Sequence, residues 1–290
     1  MQALHTASQR IESGNPEFNH QPLTRIIMSI SSTQPTKQEQ LAAMREFSNN
    51  TNARLPVLFL LDASSSMNGI VRGDNQQILR QEHSDGINWN IVTGDNLVTR
   101  MDELNTGLQR FISDILSDPM AKLAADVEVM TFARTVATVK EFGPIRESDT
   151  VLKISTSQEN ETLLGEAVEL ALAELDSRKR TYRKHGVEYY QPWLVVMTDG
   201  GPTSARHREL EGRLKELTAA RKLSVFVFGI GRADLSELSC ISPGRPPMQV
   251  NEQKFPELFA WLSRSVRTVS MSMPGDGVSL TPPPEDVWQV

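Results

Sequence analysis

Asp62, Ser64 and Ser66 stand at alternate positions at the end of an apolar run, Leu55-Pro56-Val57-Leu58-Phe59-Leu60-Leu61. In extended chain successive side chains point to opposite faces, so these three converge on one side while the backbone stays strand-like. One carboxylate and two hydroxyls suit a hard divalent cation such as Mg²⁺ or Mn²⁺, which takes oxygen ligands and keeps several waters. A second apolar run, Pro192 to Thr198, leads into Asp199-Gly200-Gly201-Pro202-Thr203 and sets another carboxylate at a strand end. In an open α/β sheet ligands bind outside the carboxyl ends of the strands, so two such ends on neighbouring strands would face one crevice. Between them lies Thr162, just before the helical run that starts at Leu163, with a hydroxyl free to cap or to coordinate; Thr156 is close enough to compete with it.

This pattern, D-x-S-x-S at Asp62 to Ser66, Thr162-Leu163-Leu164-Gly165-Glu166-Ala167 and Asp199-Gly200, resembles the von Willebrand factor A (VWA) domain. The resemblance implies an α/β, Rossmann-like fold: a central, mostly parallel sheet with one antiparallel edge strand and helices on both faces. It further implies that Asp62, Ser64, Ser66, Thr162 and Asp199 form a metal-ion-dependent adhesion site (MIDAS), with one position left open for an acidic residue of a partner. Thr162 is preferred to Thr156 because the Leu-x-Gly-x-Ala that follows it matches the family. The sequence departs from the family where Ser65 replaces the common Gly after the first Ser, a change the site should tolerate.

Further segments look like bacterial stand-alone TerY-type VWA proteins: Asp118-Pro119, Tyr189-Tyr190-Gln191-Pro192-Trp193, Phe259-Ala260-Trp261-Leu262-Ser263, and a Pro-containing tail that ends near Trp288. That likeness covers residues 54–290. It implies a link to tellurite resistance and stress response, and a role as an adaptor or scaffold beside a protein kinase and a phosphatase. The expected function is a metal-dependent protein-binding module that captures an Asp or Glu of a partner protein, not an enzyme. The alternative is a Mg-dependent hydrolase of phosphate esters. Against it, Ser64 stands where D-x-D phosphatases carry a second carboxylate, no Lys or Arg is tied to the site by motif, and there is no P-loop G-x-x-x-x-G-K-[ST]. His5, His20, His83, His185 and His207 form no ligand or base pattern, and Gly229-Ile230-Gly231 lacks the rest of a dinucleotide fingerprint.

Composition agrees with a cytoplasmic protein. A formal charge of −6 over 290 residues gives no pull toward nucleic acid or an anionic membrane. The one cysteine, Cys240, excludes an internal disulfide and points to a reducing compartment, and no stretch reaches the roughly 20 apolar residues of a membrane span.

The elements that must position the site follow from hydrophobic period. Residues 1–50 read as a polar extension, in which Leu41, Met44 and Phe47 could form a short helix, and 51–290 as the VWA domain with a tail at 271–290. Residues 69–96, rich in Asn, Asp, Gln and Gly, read as an insertion without regular structure at the rim of the site. It contains Arg72-Gly73-Asp74, and Asp74 or Asp85 is a candidate to fill the open metal position at rest. Helices are expected over 98–116, 163–180, 206–222 and 255–269, a hairpin over 127–142 with the edge strand, and a buried strand over 224–231.

Overall fold

The computed structural model describes residues 47, 50–84, 87–158 and 161–288. The expected extension and its short helix lie outside these residues, apart from Asn50 and Phe47, whose ring is buried against Tyr182 and His185.

The chain folds into a six-stranded sheet of order β5-β4-β1-β6-β7-β8. Its strands are β1 (Leu55–Asp62), β4 (Ala125–Phe132), β5 (Val136–Pro144), β6 (Trp193–Thr198), β7 (Ser224–Ile230) and β8 (Met248–Val250). All neighbours are parallel except β5, which runs antiparallel to β4 at the edge. The central strands read as continuous apolar runs because both faces are covered. Val57, Phe59, Leu61, Val195, Met197, Phe226 and Phe228 join the core under α1 (Arg100–Ser117) and α7 (Phe255–Ser270). Leu58, Leu60, Leu194, Val196, Val225 and Val227 join the opposite core under α3 (Leu164–His185) and α5 (Glu211–Ala219). Short helices α2 (Pro119–Ala124), α4 (Arg206–Glu209) and α6 (Leu235–Leu238) complete the layers. The helix expected over 206–222 is two helices, with Leu210 turning between them and its side chain in the core.

The 69–96 segment departs from expectation. It is a long antiparallel ribbon, β2 (Ile70–Ser84) and β3 (Ile87–Thr99), with register shifts along its length. It is rooted at the carboxyl end of β1, where Arg100 N–H donates to Gly69 O (2.9 Å) and Arg72 Nε to Glu103 Oε1 (2.7 Å). Asp74 accepts from Asn96 Nδ2 within the ribbon, while Asp85 lies outside the described residues. The tail packs on the domain: Trp261 Nε1 donates to Thr281 O (2.6 Å), and Val287 is fully buried.

On β4 the residues facing α3 include two acids, Asp126 and Glu128. Asp126 is paired with Arg178 and accepts from Tyr182 Oη. Burial, reinforced by Glu174 and Glu141, pushes the Glu128 carboxyl up to about 8, and its Oε2 has no hydrogen-bond partner. A carboxyl raised by folding is protonated in the native state at pH values where the unfolded chain has already released the proton. Its stabilising effect is therefore complete below the unfolded pKa and is lost as pH rises toward 8. Glu128→Gln removes this dependence. It should match the wild type near pH 4 and exceed it at pH 8 by something on the order of 2–4 kcal/mol in urea unfolding. Parallel pH profiles for the two proteins would refute this.

Candidate metal centre

The sheet order places a switch point between β1 and β6. The chain leaves β1 for α1 on one face and leaves β6 for α4 and α5 on the other, which opens a crevice between the two strand ends. Asp62 closes β1 and Asp199 follows β6; Leu61 and Met197 are in register, one residue before Asp62 and two before Asp199.

Asp62 is fully buried. Its Oδ1 accepts from Ser64 N–H (2.8 Å) and its Oδ2 from Thr198 Oγ1 (2.5 Å), so the turn and the next strand fix both oxygens. Ser64 Oγ and Ser66 Oγ lie 2.8 Å apart, and Ser66 Oγ donates to Asp199 Oδ1 at 2.6 Å. A turn of 3₁₀ helix at Ser65–Asn68 carries Ser66 there, with Ser65 half-buried inside it. Thr162 is buried in the loop before α3, held by Thr203 N–H donating to Thr162 O (3.1 Å) and by Leu163 N–H donating to Ala133 O (3.0 Å). A Cβ built on Gly200 would lie 3.3 Å from Thr162 Oγ1 and 4.0 Å from Asp62 Oδ2, so the turn after β6 brings Thr162 and Asp62 to one place. Thr156, by contrast, is half-buried and donates to Asn68 Oδ1 (2.8 Å). The five residues singled out in the sequence thus gather at one end of β1 and β6.

Gly165 shows how closely the Thr162 loop is packed. A Cβ there would fall 2.4 Å from His207 N and 2.7 Å from Arg206 C, both backbone atoms of α4. Gly165→Ala forces α3 and α4 apart and is expected to cost about 1–3 kcal/mol, read as a lowered melting temperature. A variant as stable as the wild type would contradict the close approach.

Two neighbours carry no signature in the sequence. Thr198 is one residue before Asp199 and looks like any strand residue. Arg100 opens α1: its Nη1 donates to Asp199 Oδ2 (2.9 Å) and to Ser66 O (3.3 Å), and its Nε donates to Glu252 Oε1 (2.7 Å). No motif ties an arginine here; only the path of the β2–β3 ribbon, which returns to the rim at Thr99, delivers it.

Burial and then the nearby Asp199 charge raise the Asp62 carboxyl to about 6. Asp199 is likewise raised, chiefly by burial, against the opposing pull of Ser66 and Arg100. Two desolvated carboxylates side by side are costly without a counter-charge, and Arg100 reaches only one of them. Among the described residues there is no cluster of three or more His, Cys, Asp or Glu that could hold a metal. The donor set at this crevice is two carboxylates and hydroxyls, all oxygen, which fits a hard divalent cation better than zinc or copper.

No curated protein matches the chain in sequence. Similar solved structures include the BatB protein of Bacteroides thetaiotaomicron, at 17% identity over 75% of this chain and 100% of that one, TM-score 0.49. Another is proximal thread matrix protein 1 of the mussel byssus with a zinc-occupied MIDAS motif, at 13% identity over 75% of this chain and 49% of that one, TM-score 0.46. The chain thus spans about half the length of the mussel protein. A third is the SpRpn10 VWA domain, at 11% identity over 71% of this chain and 95% of that one, TM-score 0.45. The sequence profile of the von Willebrand factor type A domain matches residues 57–259, a stretch that runs from β1 into α7 and contains the whole crevice. On that match the chain belongs to the von Willebrand factor type A domain family.

Proposed function

We propose that this protein is a metal-dependent protein-binding module, an adaptor and not a catalyst. Asp62, Ser64, Ser66, Thr162 and Asp199 hold one Mg²⁺ or Mn²⁺, some directly and some through water. The observation that carries the reading is the pair of buried carboxylates set among hydroxyls at the switch point. When bound, the cation supplies an electrophilic position that an Asp or Glu of a partner protein completes. Neutral hydroxyl ligands suit this role, because they leave the ion's charge incompletely neutralised.

The chain's own residues do the rest. Thr198 and the Ser64 N–H keep both Asp62 oxygens oriented, and Arg100 ties Asp199 to Glu252 on the loop that follows β8. The β2–β3 ribbon rises from the same rim, which supports a role for it in choosing the partner. Hydrolysis of phosphate esters is disfavoured: Arg100, the cation that does reach the crevice, is engaged by two carboxylates. The TerY-type likeness extends the proposal to a cytoplasmic role in a bacterial stress or defence system, with a kinase or phosphatase of that system as partner. Among the described residues no helix is long and apolar enough to cross a membrane.

The test is capture of partners from lysate by wild type and Asp62→Ala protein, each in Mg²⁺ and in EDTA. A protein retained only by wild type in Mg²⁺ is the expected result. Retention indifferent to both changes would move binding away from the crevice and overturn the reading.

A further inference from the structure

At the opposite end of the sheet, where β6 and β7 begin, lies a cavity of about 550 Å³. Trp193 and Ser224 open those strands, so the cavity is about 20 Å of chain away from Asp199. Its lining holds five cationic side chains, Lys179, Arg183, Arg221, Lys222 and Arg245, against two carboxylates, Asp176 and Asp276. Asp176 is paired with Lys179 at 2.6 Å, and Asp276 Oδ2 accepts from Met273 N–H (2.9 Å). Arg183, Arg221, Lys222 and Arg245 have no carboxylate partner among the described residues, in a chain whose net charge is −6.

Two details go beyond charge. The Arg245 guanidinium lies 4.2 Å from the Phe226 ring centroid, which makes a flat, positively charged layer on the cavity wall. Arg221 adopts φ +53° in the turn after α5, a left-handed position where helix ends favour Gly or Asn. The turn itself does not need an arginine, and the residue that tolerates this strain lines the cavity. The volume matches a small-molecule site.

We propose that this cavity binds a phosphate-bearing small molecule of nucleotide size, with its phosphates on Arg183, Arg221 and Lys222 and its planar ring on the Arg245 layer. Such a site is independent of the metal crevice. The test is titration calorimetry of the full chain in EDTA at low salt with ADP, adenosine and inorganic pyrophosphate. ADP is expected to bind at least tenfold more tightly than either fragment. Binding should weaken about tenfold in Arg183→Ala and in Arg221→Gly, the value of one charge-assisted contact, and stay unchanged in Asp62→Ala. Arg221→Gly also relieves the left-handed strain, so its melting temperature should equal or exceed that of the wild type, which separates lost binding from lost folding. Absence of ADP binding, ADP binding indifferent to both arginine substitutions, or pyrophosphate binding as tightly as ADP would each overturn the proposal.

Discussion

Asp62→Asn is expected to weaken divalent-cation binding by about 100-fold or more while raising the metal-free melting temperature at neutral pH. The two effects have opposite signs because the same carboxylate is useful only when a cation is present. Without one, Asp62 is fully buried beside Asp199, and its carboxyl is raised from 3.8 to about 6. The cost of ionising it in the folded protein grows as pH climbs between those values and is complete above 6, where it amounts to roughly 1–3 kcal/mol. Asparagine carries no such cost and keeps the local geometry. Its oxygen can accept from Ser64 N–H, and the Thr198 hydroxyl can turn from donor to acceptor toward the amide. For a domain of this size that stabilisation is worth some 2–4 °C per kcal/mol. Saturating Mg²⁺ should invert the order, since a ligand that binds only the folded state stabilises by mass action. Calorimetry with Mg²⁺ or Mn²⁺, and melting curves at pH 4 and 7.5, measure both halves. A variant that binds the cation as tightly as the wild type would remove Asp62 from the ligand set.

The Asp62, Ser64, Ser66 grouping is legible because it is local, but the extended backbone expected through Ser66 is not what converges it: the strand ends at Asp62, and a 3₁₀ turn over Ser65–Asn68 carries Ser66 to the site. Asp199 was readable because an apolar run marks a buried strand whose last residue must emerge at the sheet's edge. The same logic recovers the β4–β5 hairpin and the faces of α1, α3 and α7. It fails where burial does not impose a period. The β2–β3 ribbon is exposed on both sides, with Ile78 60% and Leu79 65% accessible, so its sequence shows no alternation and resembles a loop. Arg100 was invisible for a related reason. Its place beside Asp199, 99 positions away in sequence, depends on where that ribbon returns the chain. The single helix expected over 206–222 conceals a break because Leu210 satisfies the apolar spacing of one helix while belonging to a turn between two.

Arg178→Ala is expected to destabilise the domain by about 3–5 kcal/mol, a fall of roughly 10 °C in melting temperature for a protein of this size, without changing cation affinity. Arg178 on α3 holds Asp126 Oδ2 at 2.7 Å, and its guanidinium lies near the rings of Phe47 (5.1 Å), Tyr182 (5.2 Å) and Phe142 (5.8 Å). Asp126 is fully buried, its Oδ1 has no hydrogen-bond partner, and Glu128 adds a second acid on the same side of β4. Once the guanidinium is gone, only the Tyr182 hydroxyl remains from these contacts to Asp126 Oδ2, and a buried charge is left uncompensated. The cost therefore comes from orphaning the acid more than from losing the pair. It follows that Asp126→Asn combined with Arg178→Met, which removes both charges and keeps much of the volume, should recover most of the loss. Asp126 pairs with Pro56 near the start of β1, whereas Asp62 at the far end pairs with Phe132, so the cluster and the crevice sit at opposite ends of the same two strands. Urea unfolding of the single and double variants tests the stability difference, and cation titration of the same proteins tests the separation. A single variant within 1 kcal/mol of the wild type would refute the network's role, and a double variant no more stable than the single one would assign its effect to the aromatic packing of Arg178 instead.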